Sequence, residues 1–240
     1  MTAFSILLIG FLLGMKHATE ADHLAAVATL ASRQHSLAQT MRQGIAWGIG
    51  HTLTLMLFGG IALAMGKSIP ANMAQALELA VGVMLVALGA DVLRRLVRQR
   101  VHFHVHSHGL RLRHVHAHSH AGEGAHRYSL HRHVHVERPP VRALAVGMMH
   151  GMAGSTALIV LSLGAVESVS AGLAYLAMFG VGSIAGMALL SVAIAIPLRL
   201  SAGYLGWLHN LPTALIGTFS CALGVFMVYR IGFVSGLLLG

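Results

Sequence analysis

The sequence predicts an all-α polytopic membrane protein whose six transmembrane helices form two inverted three-helix repeats. Hydrophobic residues make up 56% of the chain and charged residues only 10%, whereas about 25% of a typical soluble domain is charged. Apolar stretches recur along the chain, and a helix that spans a bilayer needs about 20 such residues. These observations exclude an ordinary soluble globule. The 28 glycines are typical of helices that pack closely within a membrane.

Six apolar segments are long enough to span the bilayer, and a polar segment divides them three and three. The predicted spans are residues 2–31, 44–65, 73–97, 143–165, 171–198 and 213–239. The chain therefore divides into a first three-helix repeat at 1–97, a loop at 98–142 and a second three-helix repeat at 143–240.

Basic residues predict the orientation of these spans. They concentrate in the connections after the first, third and fifth spans, and ten of the sixteen Lys and Arg lie between Arg94 and Arg142. The positive-inside rule places those connections in the cytoplasm. We therefore expect a multi-pass protein of a prokaryotic inner membrane, with both termini outside and the loop inside. The same rule accounts for the net charge of +9 without nucleic-acid binding.

A short internal similarity predicts the inverted repeat. Gly14-Met-Lys-His17 in the first span matches Gly147-Met-Met-His150 in the fourth. Three spans separate the two segments, which is an odd number, so the two halves would cross the membrane in opposite directions. Many secondary transporters are built in this way.

The first span carries a polar motif, Lys16-His-Ala-Thr-Glu-Ala-Asp-His23, in the middle of apolar sequence. An ionisable group at the bilayer centre costs about 2.5–3.5 kcal/mol or more and often marks an ion or substrate pathway. Imidazole and carboxylate groups are ligands of first-row transition metals. We therefore expect His17, Asp22 and His23 to bind a divalent metal ion. The alternative is a buried polar cluster that holds helices together.

A straight helix could not bring these three side chains to one ion. At about 100° per residue they point in three widely separated directions. The motif therefore predicts a bulge, kink or unwound turn between Gly14 and His23, as in the discontinuous helices of transporters. Gly14 would permit such a break.

Two further histidines lie in other predicted spans. His51 belongs to the second span and His150 to the fourth, and both have glycine neighbours that allow close approach of another helix. Either could be a packing histidine bonded to a backbone carbonyl. Because His17 and His23 are also in apolar sequence, we expect His51 and His150 to complete the metal site or line the path. No activated nucleophile accompanies these histidines, which argues against an enzyme.

The polar loop contains twelve of the eighteen histidines. Those at alternate positions are His102, His104, His106, His108, His114, His116, His118, His120, His131, His133 and His135. Strict alternation would place the histidines of a strand on one face. His-rich tracts bind metals, and imidazole suits Ni²⁺, Co²⁺, Zn²⁺ and Cu²⁺. We expect the loop to bind metal, either as strands or as a solvated, disordered tract.

The motifs resemble those of the nickel/cobalt transporter family. His17-Ala-Thr-Glu-Ala-Asp-His23 resembles its His-x4-Asp-His signature, and Gly50-His51-Thr52 resembles its second short motif. The segment 147–155 is similar to that of the six-span branch called urease accessory protein H-like, and the His-rich loop resembles that of the nickel/cobalt efflux members. Glu20 stands where the classical signature carries aspartate.

This resemblance implies transmembrane transport of a divalent transition metal ion, nickel first and cobalt next. It implies no enzymatic activity, and no cofactor besides the transported Ni²⁺ or Co²⁺. We expect uptake. The alternatives are nickel/cobalt efflux, or a membrane protein that stores or hands over metal without transporting it. The expected partners are the metal ion, the lipid bilayer, nickel-enzyme maturation proteins and a further copy of the chain, but no nucleic acid.

Overall fold

The computed structural model describes residues 3–32, 34, 36–66, 70–98, 101–108, 112–119, 140–153, 168–202, 206–235 and 237. Within these ranges the chain forms helices and one β-hairpin. The helices are α1 (Ala3–His17), α2 (Ala21–Ala31), α3 (Leu37–Met65), α4 (Ala71–Arg98), α5 (Val141–Ala153), α6 (Val169–Ala202) and α7 (Gly206–Tyr229), which continues as a π-helical turn (Arg230–Val234). The strands are β1 (Val101–His108) and β2 (Leu112–Ser119).

The described helices make the chain a polytopic helical membrane protein. α3, α4, α6 and α7 are each long and apolar enough to span a bilayer. α1 and α2 pass the same test as a pair, although a bend of 61° separates them. α5 has 13 residues, and the remainder of the predicted fourth span lies outside the described residues.

Local signals explain where the second span begins and ends. α3 starts at Leu37, before the predicted residue 44, because Ser36 caps it by accepting a hydrogen bond from the Gln39 N–H at 3.0 Å. Serine is a favoured residue at this position. Gly66 ends the helix with a φ of 60°, a left-handed conformation that glycine adopts without strain.

The helix of the sixth span also starts before its predicted first residue. It begins at Gly206 and continues through Pro212.

The first span is broken, which confirms the expectation from the polar motif. α1 ends at His17 and α2 begins at Ala21. Between them the N–H groups of Thr19 and Glu20 donate to the carbonyls three residues earlier, at 2.9 and 3.1 Å. Glu20 then adopts an extended conformation as the N-cap of α2. The chain therefore changes direction within residues 18–20.

Gly14 serves helix packing, so its expected role in the break is wrong. It lies inside α1, and a Cβ there would meet the backbone carbonyl of Phe179 in α6. A Cβ on Gly182 of α6 would in turn meet the carbonyl of Phe11. The Ser183 hydroxyl donates to the Gly14 carbonyl at 3.3 Å. Small residues thus allow the backbones of α1 and α6 to touch.

Two other helix pairs touch through glycines in the same way. Between α3 and α5, a Cβ on Gly147 would meet the Trp47 carbonyl. Between α4 and α7, a Cβ on Gly82 would lie 3.2 Å from the Gly224 carbonyl oxygen. Such contacts leave no room for larger side chains, and they fix how deeply each helix enters the bundle.

The short helix α2 lies at the centre of the bundle. Its residues from His23 to Ala31 are buried, apart from Leu24, and it contacts α3, α4, α6 and α7. Apolar side chains such as Val27 and Leu30 pack there with Trp47 and Leu85. The polar end of α2 is therefore held rigidly within an apolar core.

The strands β1 and β2 form an antiparallel hairpin within the His-rich loop. The register pairs His102 with His118, His104 with His116, and His106 with His114. These pairs fall at every second position of both strands. His120 and the third block of histidines, at 131–135, lie outside the described residues.

Candidate metal site

The structure brings together the five intramembrane residues that the sequence singled out. His23, at the start of α2, lies between the other three imidazoles. Its ring centroid is 4.4 Å from that of His17, 5.3 Å from that of His51 and 4.2 Å from that of His150. Asp22 contacts His150 directly. Side chains from the broken first span, from α3 and from α5 thus converge at one point.

Two overlapping sets of residues have metal-binding geometry. One is His17, His23 and His51, and the other is Asp22, His23 and His150. Within each set, one candidate ligand atom per residue lies within 4.8 Å of the others. Two nitrogens bound to one ion at about 2.1 Å can be at most about 4.2 Å apart. Small side-chain movements would therefore suffice to close either set around an ion.

Two carboxylates hold imidazoles of the first set in place. The Glu20 Oε1 atom lies 2.9 Å from His17 Nδ1, and the Asp22 Oδ1 atom lies 3.0 Å from His23 Nδ1. Asp22 Oδ1 also accepts a hydrogen bond from the His23 backbone N–H at 2.8 Å. With a proton on Nδ1, each ring presents the lone pair of Nε2. Carboxylates commonly orient metal-binding histidines in this way.

Four ring nitrogens of the first set have no hydrogen-bond partner in the described part of the chain. They are the Nε2 atoms of His17 and His23 and both ring nitrogens of His51. The His51 side chain is fully buried. A buried polar group without a partner costs about 1–3 kcal/mol. This arrangement differs from a packing histidine bonded to a backbone carbonyl, which was the alternative considered for His51.

Asp22 links two histidines. Its Oδ2 atom lies 2.8 Å from His150 Nε2, while its Oδ1 atom contacts His23. The other ring nitrogen of His150, Nδ1, has no described partner. Both oxygens of Asp22 are thus engaged by imidazoles, so in this structure the carboxylate connects the two overlapping sets.

Sequence reasoning missed Trp47, which forms one wall of the site. Its ring stacks on His23 with centroids 6.1 Å apart and an interplanar angle of 13°, and it lies 5.6 Å from His150. Trp47 precedes His51 by one helical turn, so both occupy the same face of α3. That i, i+4 spacing is the signal by which it could have been found.

Comparison with known proteins identifies the family of this chain. Residues 3–238 match the family described as "High-affinity nickel-transport protein". The chain is 35% identical over 233 residues to "Urease accessory protein UreH" of Bacillus sp. strain TB-90, and the match covers 97% of this chain and 94% of that protein. No solved structure matches. The chain therefore belongs to the family of high-affinity nickel-transport proteins, and it is a membrane transporter of metal ions and not an enzyme.

Proposed function

We propose that the chain carries Ni²⁺, and secondarily Co²⁺, into the cell across the inner membrane of a prokaryote. The observation that carries this proposal is the cluster of His17, His23 and His51, whose unpaired ring nitrogens face one another inside the bundle. Imidazole nitrogens suit both metals. The relative's name refers to urease, a nickel enzyme, and its maturation requires nickel to enter the cell.

We assign His17, His23 and His51 as the first ligands. The hydrogen bonds that the Nδ1–H groups of His17 and His23 donate to Glu20 and Asp22 leave the Nε2 lone pairs ready for a cation. Binding to the second set first would require the His23 and His150 nitrogens that contact Asp22 to lose their protons. The two carboxylates also offset the positive charge of the ion in a medium of low dielectric constant.

His150 and Asp22 are assigned to the next position of the ion. His23 belongs to both sets, so the two positions of the ion lie next to one another around that residue. The transfer replaces the contact between Asp22 and His150 by contacts of both residues with the metal. Each step then exchanges ligands and avoids exposing a bare cation to the apolar core.

The proposed architecture is six spans in two inverted three-helix repeats, residues 1–97 and 143–240, joined by a cytoplasmic loop at 98–142. Both termini lie outside, as the positive-inside rule predicts. The fourth span, of which α5 is the described part, completes the second repeat. Inverted repeats of this kind place the substrate site near the middle of the membrane.

Matching glycine contacts support the repeat. Gly14 in the first span packs on Phe179 in the fifth, and Gly147 in the fourth packs on Trp47 in the second. In the proposed repeat the first span corresponds to the fourth and the second to the fifth. The contact between spans one and five therefore corresponds to the contact between spans four and two. Three further pairs of contacts exchange likewise, namely Gly182–Phe11 with Gly50–Leu144, Gly48–Ile184 with Gly180–Thr52, and Gly82–Gly224 with Gly89–Gly217.

The His-rich loop is proposed to receive metal at the cytoplasmic mouth. His-rich tracts bind metals, and directly opposed residues of an antiparallel pair are close neighbours. The hairpin register provides three such pairs, with His104 and His116 in the middle. From there the metal would pass to nickel-enzyme maturation proteins.

Metal flux into proteoliposomes tests the proposal. We expect the intact chain to carry Ni²⁺ down an imposed gradient, and the same chain without residues 102–135 to retain that flux. His23→Ala should abolish it, because His23 belongs to both ligand sets. Binding without flux in the intact chain would support the storage or hand-over role. In cells, lower metal content on expression of the chain would support efflux.

A further inference from the structure

A cavity of about 360 Å³ lies beside the first ligand set. Its polar lining consists of Lys16, His17, Glu20, Asp22 and Glu78. Three carboxylates therefore face one ammonium group, which favours cations over anions. The space exceeds that of the six waters around a hydrated divalent ion, since each water occupies about 30 Å³ in the liquid.

His17 shows that the cavity leads to the metal site. The side chain is more than nine-tenths buried, it lines the cavity, and its Nε2 atom has no partner among the described residues. His17 also belongs to the set formed with His23 and His51. A cation in the cavity would therefore meet one ligand of the site without first crossing apolar packing.

Glu78 is the acidic lining residue to which the proposed function gives no role. It comes from α4, whereas Lys16, His17, Glu20 and Asp22 belong to the broken first span. Glu78 is partly buried, and among the described residues Arg230 and Asp22 lie close enough to act on its charge. A carboxylate inside a membrane helix is costly and commonly lies on an ion pathway.

We propose that this cavity is the access vestibule for the hydrated divalent cation, and that Glu78 attracts and holds the ion before His17 takes it. This inference rests on the proposed function. Glu78 lies two turns from the start of α4, on the side of the membrane where the chain begins. In the proposed orientation that side is outside, so the vestibule would admit metal for uptake.

Association kinetics test this role. Binding of Co²⁺ to the purified full-length chain would be followed by stopped-flow absorbance at low salt. The kinetic phase that disappears in His51→Leu belongs to the central site, which separates it from binding by the loop. In that phase we expect Glu78→Gln to slow association roughly tenfold, because it removes a steering charge. Added salt should reduce the difference, and Glu78→Asp should restore most of the rate.

Asp91→Asn is the matched control. Asp91 also lies on α4, but it contacts Arg95 and Arg142 at 3.4 Å and does not line the cavity. The Asp91→Asn variant should bind Co²⁺ at the same association rate as the unsubstituted chain. An unchanged rate in Glu78→Gln would overturn the vestibule while leaving the central site and transport intact. Faster dissociation with unchanged association would also overturn it, because Glu78 would then be a ligand of the bound ion.

Failure of the proposed function would look different. If the unsubstituted chain had no phase that depends on His51, both the central site and the vestibule would be wrong. If that phase were present but proteoliposomes showed no flux, transport through the site would fail. The effect of Glu78→Gln on association would still decide whether the cavity guides the ion.

Discussion

Replacing His51 with leucine distinguishes a metal ligand from a packing residue. In the apo protein the His51 ring is fully buried, and neither ring nitrogen has a partner among the described residues. A neutral imidazole has one donor and one acceptor, and each unsatisfied group costs about 1–3 kcal/mol. Leucine has no polar group to satisfy and a similar volume. We therefore expect His51→Leu to stabilise the apo protein while it removes metal binding.

The expected gain follows from those two groups. The two unsatisfied groups together destabilise the protein by at least about 2 kcal/mol. An imperfect fit of leucine reduces the gain from removing them by up to about 1.5 kcal/mol. The net gain in unfolding free energy is then roughly 0.5–6 kcal/mol. For a chain of 240 residues each kcal/mol raises the unfolding midpoint by about 2–4 °C. The measurement is thermal unfolding in detergent with a chelator present.

His150→Leu is the matched comparison, because its ring is equally buried but bonded. It lies 2.8 Å from Asp22, and its loss would leave a carboxylate oxygen without that donor. A hydrogen bond to a charged group contributes about 1.5–3 kcal/mol, and its loss offsets the gain of about 1–3 kcal/mol from removing the unpartnered Nδ1 atom. This variant should therefore have an unfolding midpoint close to that of the parent and below that of His51→Leu.

Adding metal completes the experiment. An ion that binds only the folded state at a hundred times its dissociation constant stabilises the protein by about 2.7 kcal/mol. The unsubstituted chain should gain this stabilisation when Ni²⁺ is added, and the His51→Leu variant should not. The reasoning is refuted if His51→Leu is destabilised without metal, or if it retains the full stabilisation by Ni²⁺. Either result would mean that His51 packs the bundle and does not bind the ion.

Three further predictions use other parts of the chain. His17→Ala should abolish flux in protein that still inserts and elutes as a folded species, and near-normal flux would remove His17 from the site. The affinity of the His-rich loop, measured on a peptide of residues 98–142, should fall steeply as the pH drops from about 7 to 5.5. Imidazole must lose its proton to bind metal, and its ordinary pKa is about 6.5; unchanged affinity would exclude the imidazoles. Gly147→Ala should lower the unfolding free energy by about 1–3 kcal/mol, because its Cβ would meet the Trp47 carbonyl. Gly60→Ala, with its nearest neighbour at 3.5 Å, should be nearly neutral in the same thermal assay.

The break in the first span could be predicted because it follows from helix geometry. His17 and His23 cannot share an ion on a regular helix, and both are too polar for lipid. The prediction needed no knowledge of the other helices. The exact position of the break could not be predicted, because the sequence does not show that Gly14 packs against Phe179.

The contacts that Asp22 and Glu78 make with other helices could not be predicted, because both depend on distant segments. Asp22 appears as a free ligand in the sequence, yet α5 brings His150 within 2.8 Å of its second oxygen. Among the residues one turn from Glu78 along α4 only Gln75 is polar, and the packing of several helices places Glu78 on the same cavity as His17. Sequence spacing describes one face of one helix, whereas these contacts arise from packing between helices.

The proposed repeat also explains why the metal site is asymmetric. Gly50 corresponds to Gly182 through their matching contacts, so His51 corresponds to the next residue, Ser183. Ser183 is buried, but its hydroxyl donates to the Gly14 carbonyl and thus serves helix packing. The first repeat therefore supplies all three first ligands, while the second supplies the helix against which they are held. A symmetric scaffold can then alternate between two related conformations. The ion would have a single strong site in the first repeat, and His150 would receive it from that site.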